Sequence, residues 1–158
     1  MEARLNLFGS EIAGKTVKYI NTASMVIIKE STLPKATQNL VMLRASQING
    51  CGYCTDVHSK DLAHDGESAL RVNLVAAWRE TNAFTEAERA ALELTEQGTR
   101  IADGAGGVTD EAWANAAKHY DEEQLTALTL LIALINATNR FLVINRQPGG
   151  DYQPGQLG

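Results

Sequence analysis

Apolar side chains along this chain recur at intervals of three and four residues, and no stretch of useful length alternates strictly between apolar and polar positions. The first spacing lines one side of an α-helix with apolar side chains, whereas strict alternation is typical of a half-buried β-strand. Short segments rich in turn-forming residues separate the helical stretches. The pattern therefore predicts an all-α fold, a single-domain bundle of about six to seven helices.

Capping residues and turn formers divide this pattern into separate helices. Ser10 and Thr109 are typical N-cap residues, and Thr85 and Asp121 each precede a Glu or Gln at the spacing of a capping box. The predicted helices cover residues 11–29, 36–48, a segment from about Cys51 to Gly66, 67–78, 86–101, 110–120 and 122–143. Their predicted apolar sides include Ile12, Val17, Ile20 and Val26 in the first helix, and Leu70, Leu74 and Trp78 in the helix 67–78.

The last predicted helix is the longest, and between Leu128 and Ile135 it is apolar on nearly every side. Such a helix is usually buried, either in the centre of a domain or at a subunit interface. Its most apolar run, from Leu125 to Ile135, has about half the length needed to cross a bilayer. We therefore expect a homo-oligomer without a membrane partner.

The length and composition fit one soluble domain. The 158 residues suit a single domain, which we place at 1–146, and the tail 147–158 is rich in Gly and Pro and is predicted to be flexible. The net charge is −5, and acidic and basic residues are interspersed, which excludes the basic patch that nucleic acid or anionic lipid requires. The first nine residues lack the apolar core of a secretory signal. We expect a cytoplasmic protein.

The chain has two cysteines, Cys51 and Cys54, and His58 lies four positions after the second. They follow Asn49-Gly50, a pair that favours a turn, so the cysteines are predicted at or just inside the start of a helix. Unpaired amide groups and the positive end of the helix dipole stabilise a thiolate there, and the pKa of such a thiol falls below its usual value of about 8.5.

On a helix, Cys51, Cys54 and His58 share one face, because they are spaced by three and four residues. An imidazole in this position can take a proton from Cys54 or hold its thiolate as an ion pair. The group therefore contains an attacking thiol, a resolving thiol and a base. In a cytoplasmic protein such a pair is more often catalytic than structural.

Three other interpretations of the cysteines compete with a catalytic pair. Free cysteines are often simply small buried apolar residues. A structural zinc site needs four ligands, but only His64, predicted to be solvated, and His119, predicted at the end of a short helix, remain as further histidines, and the chain lacks a second ligand pair at short range. Covalent haem attachment needs a histidine where Thr55 stands. We therefore expect no metal and no cofactor.

The run from Leu40 to Asp61, with its CxxCxxxH motif, resembles the carboxymuconolactone decarboxylase-like superfamily and within it the alkylhydroperoxidase D type. Weaker similarity continues through Trp78, 84–89 and 135–140, so the resemblance covers roughly residues 25–146. It implies an all-helical fold, a homo-oligomer such as a trimer or hexamer, and thiol-dependent reduction of organic hydroperoxides. It also implies a fold-stabilising or interface role for the polar residues Asn136, Asn139 and Arg140.

One position departs from the family pattern. Twelve residues before the first cysteine, where family peroxidases usually carry a glutamate of a proton relay, this chain has Asn39, beside Gln38. An amide can orient a group by hydrogen bonding, but it cannot relay a proton at neutral pH. If another carboxylate takes that role, the candidates are Glu67, Glu80 and Glu93.

Two functions follow as hypotheses. In the first, a thiol peroxidase, one cysteine attacks the hydroperoxide and the other closes a disulfide, which an external dithiol or thiol-protein reductant must reopen. The helix dipole favours Cys51 as the attacking thiol, whereas contact with His58 and the resemblance favour Cys54, which we choose. In the second, a lactone decarboxylase or a ligand-binding relative, His58 and Arg44 supply the proton donor and the anion-binding group, and the cysteines have no role.

Overall fold

A computed structural model describes residues 2–104 and 106–156. Within those ranges the chain forms seven α-helices and two 3-10 turns, and it contains no β-strand. This arrangement confirms the predicted all-α fold. The helices are α1 (Glu11–Glu30), α2 (Lys35–Ile48), α3 (Gly52–His64), α4 (Ala69–Leu74), α5 (Glu86–Thr99), α6 (Asp110–Ala116) and α7 (Glu122–Ile144), and the 3-10 turns are Leu7–Gly9 and Val75–Glu80.

The predicted starts of α1, α5, α6 and α7 agree with the structure, because the capping side chain of each forms its hydrogen bond. Ser10 accepts a hydrogen bond from the amide of Ala13, and Thr109 accepts one from the amide of Ala112. Thr85 and Asp121 each form a reciprocal capping box. These bonds satisfy amides that have no partner within the helix, and they fix where α5 and α7 begin.

The predicted continuous helix over residues 67–78 is wrong. Helix α4 ends at Leu74, and the chain tightens into the 3-10 turn, with non-helical backbone angles at Ala77. Trp78 is buried as predicted, and its indole N–H donates to Glu96 Oε1 at 2.9 Å, whereas Leu70 is 65% exposed. The change of direction follows from this tertiary contact, because Trp78 must turn toward α5 to reach Glu96.

Helix α2 lies at the centre of the bundle and packs against α3, α5 and α7. Its residues from Thr37 to Met42 are all buried, as are Leu43, Ala45 and Ser46. Helix α7 buries one side against this core, including Leu128 and Leu131, but Leu130 on its other side is 47% exposed. By length and composition α7 could span a bilayer, yet its buried side forms part of the core of this bundle.

The predicted apolar side of α1 is only partly covered. Ile12 is 78% exposed and Val26 is 48% exposed, while Ile27 is the α1 residue that is buried in the core. Among the helices, α1 packs chiefly against α7. The periodicity predicted the helix correctly, and Val17 and Ile20 are half-buried as it indicated, but Ile12 and Val26 at the two ends of this side are exposed.

Candidate active site

The site begins at the turn between α2 and α3. Gly50 has a φ of +67°, a left-handed conformation that glycine adopts without strain, and Cys51 follows as the N-cap of α3. The amide of Cys51 donates to the carbonyl of Ser46 at 2.9 Å, and its sulfur accepts a hydrogen bond from the amide of Cys54 at 3.3 Å. The predicted placement of the cysteines at a helix start is therefore confirmed.

Buried amides attach this turn to α7. Asn49 Nδ2 donates to the Oδ1 atoms of both Asn136 and Asn139 at 2.9 Å, and Asn139 Nδ2 donates to Ser46 Oγ at 3.1 Å. Arg140 reaches Asn136 Oδ1 at 2.9 Å. Because these groups are largely withdrawn from water, each depends on its partner, and the network holds the start of α3 against α7.

The two cysteines form a disulfide, with their Cα atoms 5.4 Å apart. Both are buried, with 2% of Cys51 and 3% of Cys54 exposed. The two residues nevertheless have different surroundings: Cys54 lines a cavity, and Cys51 is absent from its wall. A molecule entering the cavity therefore meets Cys54 first.

This cavity has a volume of about 350 Å³ and lies between α1, α2, α3, α7 and the C-terminal tail. The structure brings three predicted site residues together in its wall, Cys54, His58 and Asn39. Apolar side chains form much of the remaining surface: Met25, Ile28, Met42, Leu131, Ile135 and Leu142. The chemistry available at the cysteine is thus enclosed by a largely apolar pocket.

His58 is an uncharged imidazole at neutral pH. Burial lowers its pKa from 6.5 to about 4, because a charged ring is poorly stabilised away from water. Its Nδ1 atom is buried and has no hydrogen-bond partner within the described ranges. In this disulfide form the neutral ring has one nitrogen free to accept a proton, so His58 can serve as a base when Cys54 is reduced to a thiol.

Asn39 is 7% exposed, and its amide group makes no hydrogen bond to the parts of the chain that are described. The substitute carboxylates named from the sequence do not lie in the cavity wall. Glu67 pairs with Arg71 at 2.6 Å and Glu93 with Arg79 at 2.7 Å, while Glu80 is exposed. These residues are therefore poor candidates for the missing relay.

The carboxylates that do line the cavity are Asp61 and Asp65. Asp65 pairs with Lys35 at 2.7 Å, and Asp61 accepts a hydrogen bond from the hydroxyl of Tyr152 at 2.8 Å. Sequence reasoning missed both aspartates, although Asp61 and Asp65 follow His58 at helical spacing, which was the available signal. Tyr152 had no comparable signal, because it lies in the tail.

The two residues suggested for the decarboxylase hypothesis, His58 and Arg44, do not lie together in the cavity wall. Arg44 donates through Nε to Glu96 Oε1 at 2.7 Å, the same carboxylate that binds the indole of Trp78, and it does not line the cavity with His58. His64 is exposed where it borders the cavity, and His119 is exposed elsewhere. In the described part of the chain, no three His, Cys, Asp or Glu side chains are grouped to hold a metal ion.

Two relatives resemble this chain in sequence, and one crystal structure resembles it in both sequence and fold. Its sequence is 39% identical over 115 residues to YdfG, an uncharacterized protein of Bacillus subtilis, covering 73% of this chain and 77% of YdfG. It is 34% identical over 113 residues to the uncharacterized protein YnjA of Escherichia coli, covering 72% and 60% of the two chains. The chain also matches the crystal structure of ATU0492 from Agrobacterium tumefaciens, a protein of unknown function provisionally described as the antioxidant defence protein AhpD. The TM-score is 0.86 and the sequence identity is 32%, and the match covers 96% of this chain and 100% of ATU0492.

The model of the carboxymuconolactone decarboxylase family matches residues 15–97, which include most of α1, all of α2 and α3, and both cysteines. This segment exceeds half of the chain. The match confirms the resemblance drawn from the CxxCxxxH motif. The chain therefore belongs to the carboxymuconolactone decarboxylase family and has the helical fold of its alkylhydroperoxidase D-like members.

Proposed function

We propose that this protein is a thiol-dependent peroxidase that reduces organic hydroperoxides. The Cys54 thiolate attacks the terminal oxygen of the hydroperoxide, so that the O–O bond breaks, Cys54 becomes a sulfenic acid and an alcohol leaves after taking up a proton. The thiol of Cys51 then displaces water from this sulfenic acid and closes the disulfide. An external dithiol or thiol protein reduces the disulfide by exchange and is itself oxidised.

The observation that carries this proposal is the unequal placement of two cysteines that are close enough to pair. Cys54 borders the apolar cavity beside His58, whereas Cys51 lies behind it at the N-cap. The attacking thiol must reach the substrate, and the resolving thiol needs to reach only the first sulfur. This difference supports Cys54 as the nucleophile.

His58 acts in this scheme as the base that deprotonates Cys54. In the disulfide form its low pKa keeps the ring neutral over the physiological range, so a nitrogen is free to accept the proton, and as a weak base the ring holds that proton only briefly. The protonated ring is poorly tolerated in a buried site, which favours rapid transfer of the proton onward, for example to the departing alkoxide. The amide of Asn39 can take no part in that transfer.

The proposed setting is the cytoplasm, where cellular dithiols keep the pair reducible. Both sulfurs are almost fully buried, so a reductant must approach Cys54 through the cavity or wait for the start of α3 to open. The exposed apolar residues of α1, including Ile12 and Tyr19, support assembly into a homo-oligomer.

The test is consumption of cumene hydroperoxide by the reduced protein, with excess dithiothreitol as the external dithiol. Cys54→Ser should abolish consumption above the thiol background. Cys51→Ser, reduced and then freed of dithiothreitol, should consume one equivalent of hydroperoxide per protomer and stop with a dimedone-reactive sulfenic acid at Cys54. His119→Gln, which changes an exposed histidine away from the cavity, is the matched control and should keep the parent rate. Parent-like rates in both cysteine variants would contradict the peroxidase and favour a function in which the cysteines have no role.

A further inference from the structure

We propose that the C-terminal segment 149–156 is a wall of the substrate cavity and that Tyr152 determines how large an organic group can reach Cys54. This inference rests on the proposed function and deepens it by assigning a specificity-determining residue. It starts from the observation that Tyr152 and Gly155 line the same cavity as Cys54 and His58. Through Tyr152 and Gly155 the tail takes part in forming the substrate site.

Two side chains of α3 hold this segment in place. Asp56 Oδ2 accepts hydrogen bonds from the amides of Gly150 at 2.8 Å and Tyr152 at 3.2 Å. Lys60, one turn further along, donates to the carbonyls of the same two tail residues, each at 2.9 Å, and pairs with Asp56 at 2.7 Å. Asp56 thus binds backbone amides of the tail, and Lys60 binds its backbone carbonyls.

Gly149 brings the tail directly onto the first turn of α3. A Cβ atom added at Gly149 would overlap the carbonyl oxygen of Gly52 and lie 3.1 Å from Cβ of Asp56. Gly52 stands between the two cysteines in sequence, so this contact lies next to the redox pair. Only a residue without a side chain fits so close to another backbone.

Tyr152 is the part of the tail that enters the interior. It is 5% exposed, and its hydroxyl donates to Asp61 Oδ1 at 2.8 Å and accepts a bond from the amide of Gly155 at 3.2 Å. Burial, together with the neighbouring Asp61 carboxylate, raises the pKa of Tyr152 to about 12. The hydroxyl therefore stays protonated at neutral pH, and the bond to Asp61 fixes the ring in the wall.

The fixed ring of Tyr152 limits the size of the organic group that fits in the cavity, some of whose other side chains are more flexible. The cavity wall also includes Met25 and Met42, whose flexible side chains adjust readily to different ligands. A cavity of about 350 Å³ lies near the lower end of the usual range for small-molecule sites. The ligand that fits is a compact apolar group carrying the hydroperoxide at the end nearest Cys54, and Tyr152 sets the limit on its bulk.

Access to Cys54 can be tested without relying on peroxidase activity. The fully reduced protein is treated with iodoacetamide or with bulky N-cyclohexylmaleimide, and modification of Cys54 is followed by peptide mass spectrometry. We expect Tyr152→Ala to raise the ratio of bulky to small reagent rates at least about tenfold, the scale on which pocket size alters discrimination. Asp56→Ala should raise it similarly, because it releases the tail without changing a residue of the cavity wall.

Two further variants test which part of the tail matters: one removes only the hydroxyl of Tyr152, and the other displaces the tail without changing Tyr152. Tyr152→Phe keeps the ring and should stay closer to the parent ratio than Tyr152→Ala. Gly149→Ala should act like Asp56→Ala, because it displaces the tail by steric overlap. Circular dichroism checks that each variant keeps its helix content, and His119→Gln is the distant control.

The second readout is kcat/KM for cumene hydroperoxide relative to tert-butyl hydroperoxide, which should rise in Tyr152→Ala and Asp56→Ala. If the parent reduces no hydroperoxide, the proposed function fails, yet the alkylation ratio still decides the role of the tail. If the parent is active but neither ratio moves in Tyr152→Ala, Asp56→Ala and Gly149→Ala, the tail is not a wall of the site. That result would overturn this inference and leave the peroxidase assignment standing.

Discussion

The burial of His58 predicts a measurable loss of stability in mild acid. The disulfide form of the protein is compared with His58→Gln, which keeps a polar side chain of similar length but cannot titrate. In the unfolded chain the imidazole has its ordinary pKa of 6.5, whereas burial in the folded state lowers the pKa to about 4. Between these values the unfolded chain binds a proton that the folded protein does not, so the free energy of unfolding falls as the pH falls.

The size of this effect follows from the two pKa values. The full difference of about 2.5 pKa units corresponds to about 3 kcal/mol at 1.36 kcal/mol per unit. Between pH 7 and pH 5, a range in which most carboxylates remain ionised, the loss assigned to His58 is about 2 kcal/mol. The stabilisation is complete above pH 6.5 and is lost progressively as the pH falls toward the folded pKa of about 4.

Urea unfolding followed by circular dichroism at pH 5, 6 and 7 measures this loss directly. The parent should lose about 2 kcal/mol more than His58→Gln over this range. His119→Gln removes an exposed histidine and should follow the parent. Parallel slopes for the parent and His58→Gln would refute the reasoning, since they would mean that His58 has the same pKa in both states.

Three other predictions concern the relay, the turn and the assembly. Asn39→Glu places a carboxylate in the cavity wall, so it should raise the pKa of His58 in an NMR titration and increase peroxide turnover; an unchanged rate at every pH would rule out a limiting relay. Asn139→Ala removes one of the two acceptors of Asn49 Nδ2 and the donor to Ser46 Oγ, and it should lower the free energy of unfolding by about 1–3 kcal/mol in urea, whereas a neutral result would mean that the amide network does not hold the turn. Sedimentation equilibrium at micromolar concentration should give a homo-oligomer, a trimer or hexamer, because α1 leaves apolar residues such as Ile12 exposed; a strict monomer would contradict it.

Much of the fold was predictable because it depends on local patterns. Capping residues such as Thr85 mark the starts of helices by bonding amides within their own turn, so neighbouring residues are enough to recognise them. The same applies to Gly50, whose positive φ ends α2, and to the spacing that brings Cys54 and His58 to one cavity. Each of these features is decided within about one or two turns of helix.

The features that sequence reasoning missed depend on distant contacts. The break after α4 depends on Trp78 reaching Glu96 in another helix, and helical periodicity contains no record of that bond. Tyr152 lies more than ninety positions from Asp61, the residue that it binds, in a tail whose Gly and Pro content predicted only irregular structure. Periodicity also cannot decide whether an apolar side such as that of Ile12 is covered by the same chain or by another copy.

The proposed peroxidase requires that Cys54 and Cys51 convert a hydroperoxide to an alcohol by becoming a disulfide. The most direct measurement is the intact mass of the reduced protein before and after one equivalent of cumene hydroperoxide, with alkylation of the remaining thiols. We predict a loss of about 2 Da per protomer, release of one equivalent of alcohol, and joint protection of both cysteines from alkylation. Unchanged mass, intact hydroperoxide and two cysteines that are still freely alkylated would contradict the account.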